Sequence, residues 1–226
     1  MPRRILFVTG TDTGVGKTLL TGLLVAHLLK AGKRAIALKP FCSGGTADVD
    51  FLHAVQGGSV TRDEINPFYF PEPVAPLVSA RRHRRRIRLE DVVQRVRQSG
   101  AENEYIIVEG SGGLLVPLGE GFDVRDLISG LKSEVVLVSQ NRLGTINHTR
   151  LSLEALNAHG CGPTRIVLME PEKRDFSSQS NLRLLRELCA ATSVISMPYI
   201  TDKALDPGSC SEHAIKLKKT LASILL

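Results

Sequence analysis

The sequence has no tryptophan, few cysteines and no long hydrophobic run. A membrane-spanning helix needs about 20 mostly apolar residues, and the apolar stretch near the N-terminus is too short for a secretory signal peptide. The cysteines, Cys42, Cys161, Cys189 and Cys210, are widely separated and form no Cys-x-x-Cys pair. This spacing indicates neither a zinc site nor a disulfide framework. We therefore expect a cytoplasmic protein that does not bind membranes.

Positive charge is concentrated in one short segment. The net charge is +6, and an arginine run at residues 81–88 holds six arginines, so the rest of the chain is balanced. No aromatic residue interleaves with this run, as a stacking platform for single-stranded nucleic acid would require. We expect no nucleic acid partner. The arginine run is either a solvated loop before a helix or a docking site for an acidic partner.

Residues Gly10–Thr18 have the sequence GTDTGVGKT, which follows an apolar run and precedes a helix-like segment. Glycines let the backbone approach phosphate oxygens closely, and a helix N-terminus adds the positive end of its dipole. Lys17 would bind the outer phosphates, and Thr18 would place its hydroxyl at a phosphate-bound Mg²⁺. Five residues separate Gly10 from Gly16, one more than in the usual motif. The segment predicts a phosphate-binding loop (P-loop).

Apolar runs alternate with helix-like segments along the whole chain. The predicted strands are Ile5–Val8, Ala35–Leu38, Tyr105–Val108, Val135–Val138, Arg165–Leu168 and Val194–Ile195. The predicted helices are Lys17–Ala31, Asp48–Val55, Leu89–Ser99, Thr145–His159, Asn181–Cys189 and Glu212–Leu225. Continuously apolar strands suit a parallel sheet that helices cover on both faces. The pattern predicts a single α/β domain over residues 1–226, a P-loop NTPase-type three-layer α/β/α fold with a mostly parallel sheet.

Charged residues follow the predicted strands at the sheet edge where ligands of parallel sheets bind. Lys39 ends the second strand, where its charge suits a transferring phosphoryl group, although it could also be an ordinary surface lysine. Glu109 ends the third strand and could either ligate Mg²⁺ or cap the following turn. Asp48 and Asp50 compete for a second acidic role. Helical spacing favours Asp48, because it shares a face with Leu52.

Several ordered motifs carry a resemblance to a known family. They are GTDTGVGKT at 10–18, Lys39-Pro40 with Ser43-Gly44, Asp48 four residues before Leu52, Pro-x-x-Pro at 73–76, VEGSGGLLVPL at 108–118 and LGTINHT at 143–149. Together they closely resemble the dethiobiotin synthetases, ATP-dependent enzymes that close the ureido ring in biotin synthesis. The resemblance runs from about residue 5 to residue 159.

The resemblance implies a homodimeric enzyme that joins CO₂ to 7,8-diaminononanoate with Mg²⁺ and ATP. One amine forms a carbamate with CO₂, and the carbamate oxygen takes the γ-phosphoryl group. The second amine attacks this carbamic-phosphoric anhydride and expels phosphate, so ADP and phosphate are released. No covalent enzyme intermediate is needed, and the protein's tasks are positioning and charge stabilisation.

The resemblance also implies which residues form the site. Lys39, Lys17 and Thr13 would be catalytic, and Thr18, Asp48 and Glu109 would surround Mg²⁺. The nucleotide would contact Gly14, Val15, Gly16, Lys17, Thr18, Leu19, Glu109, Gly110, Ser111, Gly112, Glu170 and Pro198. The diamine would contact Thr13, Ser43, Leu143, Gly144, Thr145 and Asn147. In the family, the loop at 143–147 comes from the other subunit, so the site would lie at a dimer interface.

The chain departs from the family most at the base end of the nucleotide, and one alternative function stays open. Glu170 stands where the family usually carries an asparagine that reads adenine, and an ionised carboxylate can only accept hydrogen bonds. The preference for ATP over other nucleotides is therefore open. The alternative function is a switch ATPase of the partition or septum-positioning type. Those proteins carry an additional lysine near the start of the P-loop, where this chain has Thr11 and Asp12.

Overall fold

The computed structural model describes residues 3–201 and 205–226. Its strands are β1 (Arg4–Gly10), β2 (Ala35–Leu38), β3 (Phe41–Ser43), β4 (Phe68–Phe70), β5 (Tyr105–Gly113), β6 (Pro117–Gly119), β7 (Phe122–Asp123), β8 (Glu134–Gln140), β9 (Thr164–Met169) and β10 (Ser193–Met197). Six of them form one parallel sheet in the order β10-β9-β8-β1-β5-β2. These six are the strands expected from the sequence, and the predicted parallel sheet is confirmed.

Helices cover both faces of this sheet. They are α1 (Lys17–Lys30), α2 (Ala47–Val55), α3 (Arg62–Ile65), α4 (Pro76–Arg82), α5 (Leu89–Ser99), α6 (Val124–Leu131), α7 (Thr145–Ala158), α8 (Ser178–Leu188), α9 (Pro207–Lys216) and α10 (Lys218–Leu225). Side chains alternate across a strand, so Leu6 and Val8 pack under α1, α2, α9 and α10, whereas Phe7 packs under α4 to α8. The three-layer arrangement is therefore confirmed.

The C-terminal segment differs from its prediction. A single helix from Glu212 to Leu225 is wrong, because α9 ends at Lys216 and α10 begins at Lys218. Helix α9 also begins earlier than predicted. The Asp206 side chain accepts a hydrogen bond from the Ser209 amide, and Pro207 occupies the first helical turn, both of which favour a helix start.

Short elements between the main strands were not predicted. Strand β3 pairs with β4, β6 pairs with β7, and α4 and α6 lie between β4 and β8. Helix α6 begins with a capping box, in which Asp123 and Asp126 each accept a backbone hydrogen bond at the helix start. In the residues that the structure describes, no helix is long and apolar enough to cross a bilayer.

Candidate active site

The P-loop connects the end of β1 to the start of α1, as predicted. Gly14 and Gly16 have φ angles of 73° and 100°, a left-handed conformation that favours glycine. A cavity of about 430 Å³, here called the phosphate cavity, lies beside this loop. It is lined by the predicted residues Thr13, Gly14, Gly16, Lys17, Thr18, Leu19, Lys39, Asp48, Glu109 and Gly112. The fold therefore brings most of the predicted nucleotide and metal residues together.

A second cavity of about 420 Å³, here called the substrate cavity, adjoins the first. Its wall includes the loop Pro73–Pro76, together with Cys42, Ser43, Ser111 and Val116. The two cavities have four lining residues in common, which are Thr13, Lys39, Asp48 and Gly112. A group bound in one cavity can therefore meet a group bound in the other beside these residues.

Lys39 is the charged centre of the shared boundary. Its Nζ lies 2.5 Å from Oε1 of Glu109 and 2.8 Å from Oδ2 of Asp48. Only 5% of Lys39 and 1% of Glu109 is exposed. Burial alone would lower the pKa of Lys39, but the carboxylates of Glu109 and Asp48 raise it above its usual value. The lysine is therefore a permanent cation in this arrangement.

The oxygen ligands suit a hard divalent cation. The Thr18 hydroxyl donates to Oε1 of Glu109 at 2.7 Å, while Oε2 of Glu109 is buried and makes no hydrogen bond within the described residues. A buried carboxylate oxygen without a partner is costly, and Mg²⁺ prefers oxygen ligands of this kind. No cluster of three or more His, Cys, Asp or Glu side chains suited to a metal occurs in residues 3–201 and 205–226. The expected set has two carboxylates, those of Asp48 and Glu109, and the Thr18 hydroxyl. Because this set is small, it fits a metal that also takes oxygens from a phosphate.

The structure separates the two acidic candidates of α2. Asp48 reaches Lys39, whereas Asp50 accepts hydrogen bonds from Arg62 at 2.6 Å and Thr46 at 2.7 Å. Asp50 lines neither cavity. The geometry favours Asp48, although its role as a metal ligand stays a prediction.

Lys17 is buried at the start of α1 and donates to the backbone oxygen of Asp12 at 2.8 Å. Burial is the main reason that its pKa is lowered to about 8, with a further lowering by the charge of Lys39. The negative charge of Glu109 opposes this effect. A bound phosphate would add negative charge and favour the ammonium form.

The remaining predicted residues near the cavities have mixed roles. Ser43 lines the substrate cavity, and its Oγ is buried and makes no hydrogen bond in the described parts of the chain. Ser111 instead donates its hydroxyl to Phe41 O at 2.6 Å. Val15 is buried in the core, and a Cβ at Gly110 would lie 2.8 Å from the Phe7 ring. Val15 and Gly110 therefore shape the loops, and neither lines the phosphate cavity or the substrate cavity.

The predicted loop at 143–147 lines neither cavity in one chain. Leu143 is 81% exposed, but its amide donates to Oδ2 of Asp175 at 2.9 Å. Thr145 is buried, with its hydroxyl 2.6 Å from Ser139 Oγ and its amide bonded to Arg142 O. Among the described residues, the amides that keep no protein partner at this helix start are those of residues 144, 146 and 147.

Glu170 lies at the end of β9, next to the P-loop. The preceding residue, Met169, lies against Gly16. The Glu170 carboxylate is nearly buried and accepts hydrogen bonds from Asn141, Ser196 and Arg174 at 2.9–3.1 Å. Pro198 is exposed beyond β10. Glu170 and Pro198 line neither cavity, and their contact with a nucleotide stays a prediction.

Asn66 was not predicted as a site residue. It is buried, and its Nδ2 donates to the backbone oxygens of Lys39 and Pro40 at 2.8 and 3.2 Å. The Lys39 amide donates to Ile65 O at 2.8 Å. These bonds fix the backbone that carries the central cation. The sequence signal was weak: a polar residue directly before a proline.

A family model described as an AAA domain matches residues 4–204. The ATP-dependent dethiobiotin synthetase BioD of Anaeromyxobacter sp. (strain Fw109-5) is 44% identical over 179 residues, which are 77% of this chain and 80% of that protein. The enzyme of the same name from Rhodococcus erythropolis is 40% identical, over 96% of this chain and 94% of that protein. The one from Bacillus subtilis is 35% identical, over 82% and 83%.

Solved structures resemble the whole fold at low sequence identity. A ParA family ATPase from Chlorobium tepidum TLS has a TM-score of 0.59 at 14% identity, covering 98% of this chain and 96% of its own. The MinD cell division protein of Aquifex aeolicus has the same TM-score and identity, covering 98% of this chain and 94% of its own. At this identity the likeness shows a common three-layer fold and nothing of function.

Proposed function

Because the chain belongs to the ATP-dependent dethiobiotin synthetase family, we propose that it carboxylates 7,8-diaminononanoate with CO₂ and closes the ureido ring of dethiobiotin, converting ATP to ADP and phosphate. The observation that carries this proposal is the boundary between the two cavities. Lys39 lines both of them. A nucleotide phosphate on one side and a carbamate on the other would therefore meet beside the same buried ammonium.

The reaction divides into three steps of ordinary chemistry. One amine attacks CO₂ and loses a proton, which gives a carbamate. A carbamate oxygen attacks the γ-phosphorus of ATP, and ADP leaves. The second amine then attacks the carbamoyl carbon, and phosphate leaves with the oxygen that it took from the carbamate. None of these steps requires a nucleophile from the protein, so the residues act by position and charge.

The P-loop and the two lysines supply positive charge to the transferring group. Amides of the P-loop and the Lys17 ammonium would bind the triphosphate, and Lys39 would stabilise charge on the phosphoryl group as it passes between the cavities. Thr18, Asp48 and Glu109 would hold Mg²⁺, which neutralises phosphate charge when it is bound. The unpartnered Oε2 of Glu109 supports this assignment.

The substrate cavity suits a diamine with a hydrocarbon chain. The loop Pro73–Pro76 and Val116 supply apolar wall. This loop lies directly against Gly44, where a Cβ would come within 2.5 Å of Pro73, so the close approach requires glycine. The buried Ser43 hydroxyl supplies a polar contact without another partner in the described chain. Thr13 and Ser43 would then contact the carbamate end of the substrate.

The distal carboxylate of the diamine would be bound by a second subunit. Two large apolar side chains, Leu143 and Phe176, are 81% and 90% exposed, and the Asp175 bond to the Leu143 amide holds them in the same region. Such an exposed pair favours burial against another chain. The unpaired amides at residues 144, 146 and 147 would receive the carboxylate at the start of α7. A homodimer and a cytoplasmic location complete the proposal.

The hydrogen bonds around Glu170 bear on nucleotide choice. Its carboxylate already accepts from three side chains, those of Asn141, Arg174 and Ser196. We therefore expect other groups to contact the base and Glu170 to contribute little to a preference for ATP.

Nucleoside diphosphate release is the test of this function. It is measured with Mg²⁺, 7,8-diaminononanoate and bicarbonate, omitting each in turn and comparing ATP with CTP, GTP and UTP. We expect release to require both the diamine and bicarbonate. Release that is indifferent to the diamine would favour the alternative, a partition- or septum-type switch ATPase.

A further inference from the structure

We propose that Asp175 is a positioning residue, which fastens the loop before α7 to the start of α8 and thereby places the part of the site that this loop supplies. This inference rests on the proposed function, in which the loop completes a partner's substrate site. Residues 142–144 are called the entry loop below. Asp175 lies in the connection between β9 and α8, 32 residues from Leu143 in sequence.

The two carboxylate oxygens of Asp175 accept hydrogen bonds from different elements. Oδ2 accepts from the Leu143 amide at 2.9 Å. Oδ1 accepts from the Ser178 amide at 2.8 Å, from the Ser177 hydroxyl at 2.6 Å and from the Ser178 hydroxyl at 3.2 Å. One carboxylate therefore joins the entry loop to the first turn of α8. An uncharged amide has one acceptor oxygen and could not satisfy both sides equally.

The carboxylate stays ionised in this position, although it lies at the surface. The Ser177 hydroxyl, followed by the amides of Leu143 and Ser178, lowers the pKa of Asp175 to about 2. Hydrogen bonds to the charged form have this effect. The connection is therefore present throughout the neutral pH range.

A side chain of α8 itself holds the same loop. Asn181 is buried and donates to Arg142 O at 3.2 Å and to Asn141 Oδ1 at 2.9 Å. The entry loop is thus attached to α8 at consecutive residues, at 142 through Asn181 and at 143 through Asp175. Two adjacent attachments restrict both the position and the direction of the loop.

The hydrogen bond between Asp175 and Leu143 determines which backbone amides are free to bind a ligand. It occupies the Leu143 amide and leaves the amides at 144, 146 and 147 for a ligand. It also brings the backbone of Leu143 to Asp175, which directly precedes Phe176 in the chain. Loss of the Asp175 hydrogen bond would free the entry loop. In the proposed dimer, this is the loop that a second copy of the chain brings to the substrate. The phosphate cavity would not change, because neither the entry loop nor Asp175 lines it.

Asp175→Ala removes the hydrogen bonds of both carboxylate oxygens and leaves the Asn181 attachment to Arg142 in place. Ser177→Ala is the matched control, since it removes one contact to Oδ1 and a 3.3 Å hydrogen bond from Asn181 Nδ2 but keeps the Leu143 bond. Hydrogen exchange is followed at the Leu143 amide in both full-length variants. Steady-state kinetics give KM for 7,8-diaminononanoate and for ATP. We expect Asp175→Ala to speed exchange at Leu143 at least tenfold and to raise the diamine KM at least fivefold. Its ATP KM should stay within twofold of the wild type, and Ser177→Ala should change neither property by more than twofold.

Three results would overturn the proposal. Hydrogen exchange at the Leu143 amide that is as slow in Asp175→Ala as in Ser177→Ala would mean that Asp175 stabilises only α8. Faster exchange with an unchanged diamine KM would mean that the entry loop has no part in substrate binding. An equal rise in both KM values would indicate general damage to the fold. A wild-type protein without diamine-dependent turnover would reject the proposed function, which is a separate outcome, and with it the substrate role of the loop.

Discussion

Replacement of Lys39 by methionine removes the cation at the centre of the site and little else. Lys39 is 5% exposed, and its Nζ contacts Glu109 at 2.5 Å and Asp48 at 2.8 Å. Methionine has a similar length and no charge. Glu109 is 1% exposed and would keep the Thr18 hydroxyl as a partner, but it would lose the one ammonium with which it forms an ion pair in the described residues.

The expected loss of stability follows from this burial. Removing one member of a buried ion pair costs about 3–5 kcal/mol, because it leaves the other charge uncompensated. The pair with Asp48 adds little, since 44% of the Asp48 side chain is exposed. We expect Lys39→Met to lower the free energy of unfolding by about 3 kcal/mol. The double variant with Glu109→Gln should recover most of this loss, because the buried carboxylate that lost its cation is then a neutral amide, and Asp48, which loses the same partner, is partly exposed.

Turnover should respond differently from stability. Removal of one group that stabilises transition-state charge typically lowers kcat about 10²–10³-fold. We expect a loss of this size in Lys39→Met. Nucleotide affinity should remain close to that of the wild type, because Lys17 and the P-loop amides are unchanged. The double variant should turn over no faster than Lys39→Met although it regains stability.

Urea unfolding followed by circular dichroism and a coupled assay for ADP measure these effects. Lys33→Met is the control, since Lys33 is exposed outside the site and should change both values little. A Lys39→Met protein as stable as the wild type would refute the charge-balance reasoning. Unchanged turnover would remove Lys39 from the mechanism.

Three further predictions concern Lys17, the edge of the sheet and a buried thiol. Burial lowers the pKa of Lys17 to about 8, so the affinity for ATP without metal should fall as the pH rises above 8. Calorimetry should then show proton uptake on ATP binding, and a constant Kd from pH 7 to 9.5 would contradict this. Gln56 bonds both backbone groups of Ala37 on the outer edge of β2, so Gln56→Ala should lower the free energy of unfolding by about 2–5 kcal/mol, whereas the exposed Gln94→Ala should change it by less than about 0.5 kcal/mol. Burial raises the pKa of Cys210 to about 12, so this thiol should resist alkylation at pH 8 until the protein is unfolded, and rapid labelling of the native protein would disprove its burial.

The main sheet could be predicted because its strands are continuously apolar. Segments such as Ile106–Val108 are buried on both faces. A short, continuously apolar run between two helices is typical of a strand in a sheet that is covered on both sides. The P-loop could be predicted because its glycines and Lys17 form a local pattern. Short elements such as α6 were missed, although Asp123 and Asp126 are a capping signal that is visible in the sequence.

Contacts between distant loops could not be predicted from one sequence. Asn66 reaches the Lys39 backbone across 27 residues, and Asp175 reaches Leu143 across 32 residues. Neither pair has a local periodicity or motif. The burial of the Thr145 hydroxyl against Ser139 is of the same kind, since it depends on how α7 packs on the end of β8. Such contacts depend on tertiary packing, which local patterns do not record.

The central claim is that a carbamate oxygen receives the γ-phosphoryl group beside Lys39. Its most direct test is to supply ¹⁸O-labelled bicarbonate with ATP, Mg²⁺ and 7,8-diaminononanoate, and to measure ¹⁸O in the released phosphate by mass spectrometry at short reaction times. The mechanism predicts label in the phosphate, because that oxygen comes from the carbamate. Unlabelled phosphate, or label that appears only when the water carries ¹⁸O, would show ordinary hydrolysis of ATP and contradict the claim.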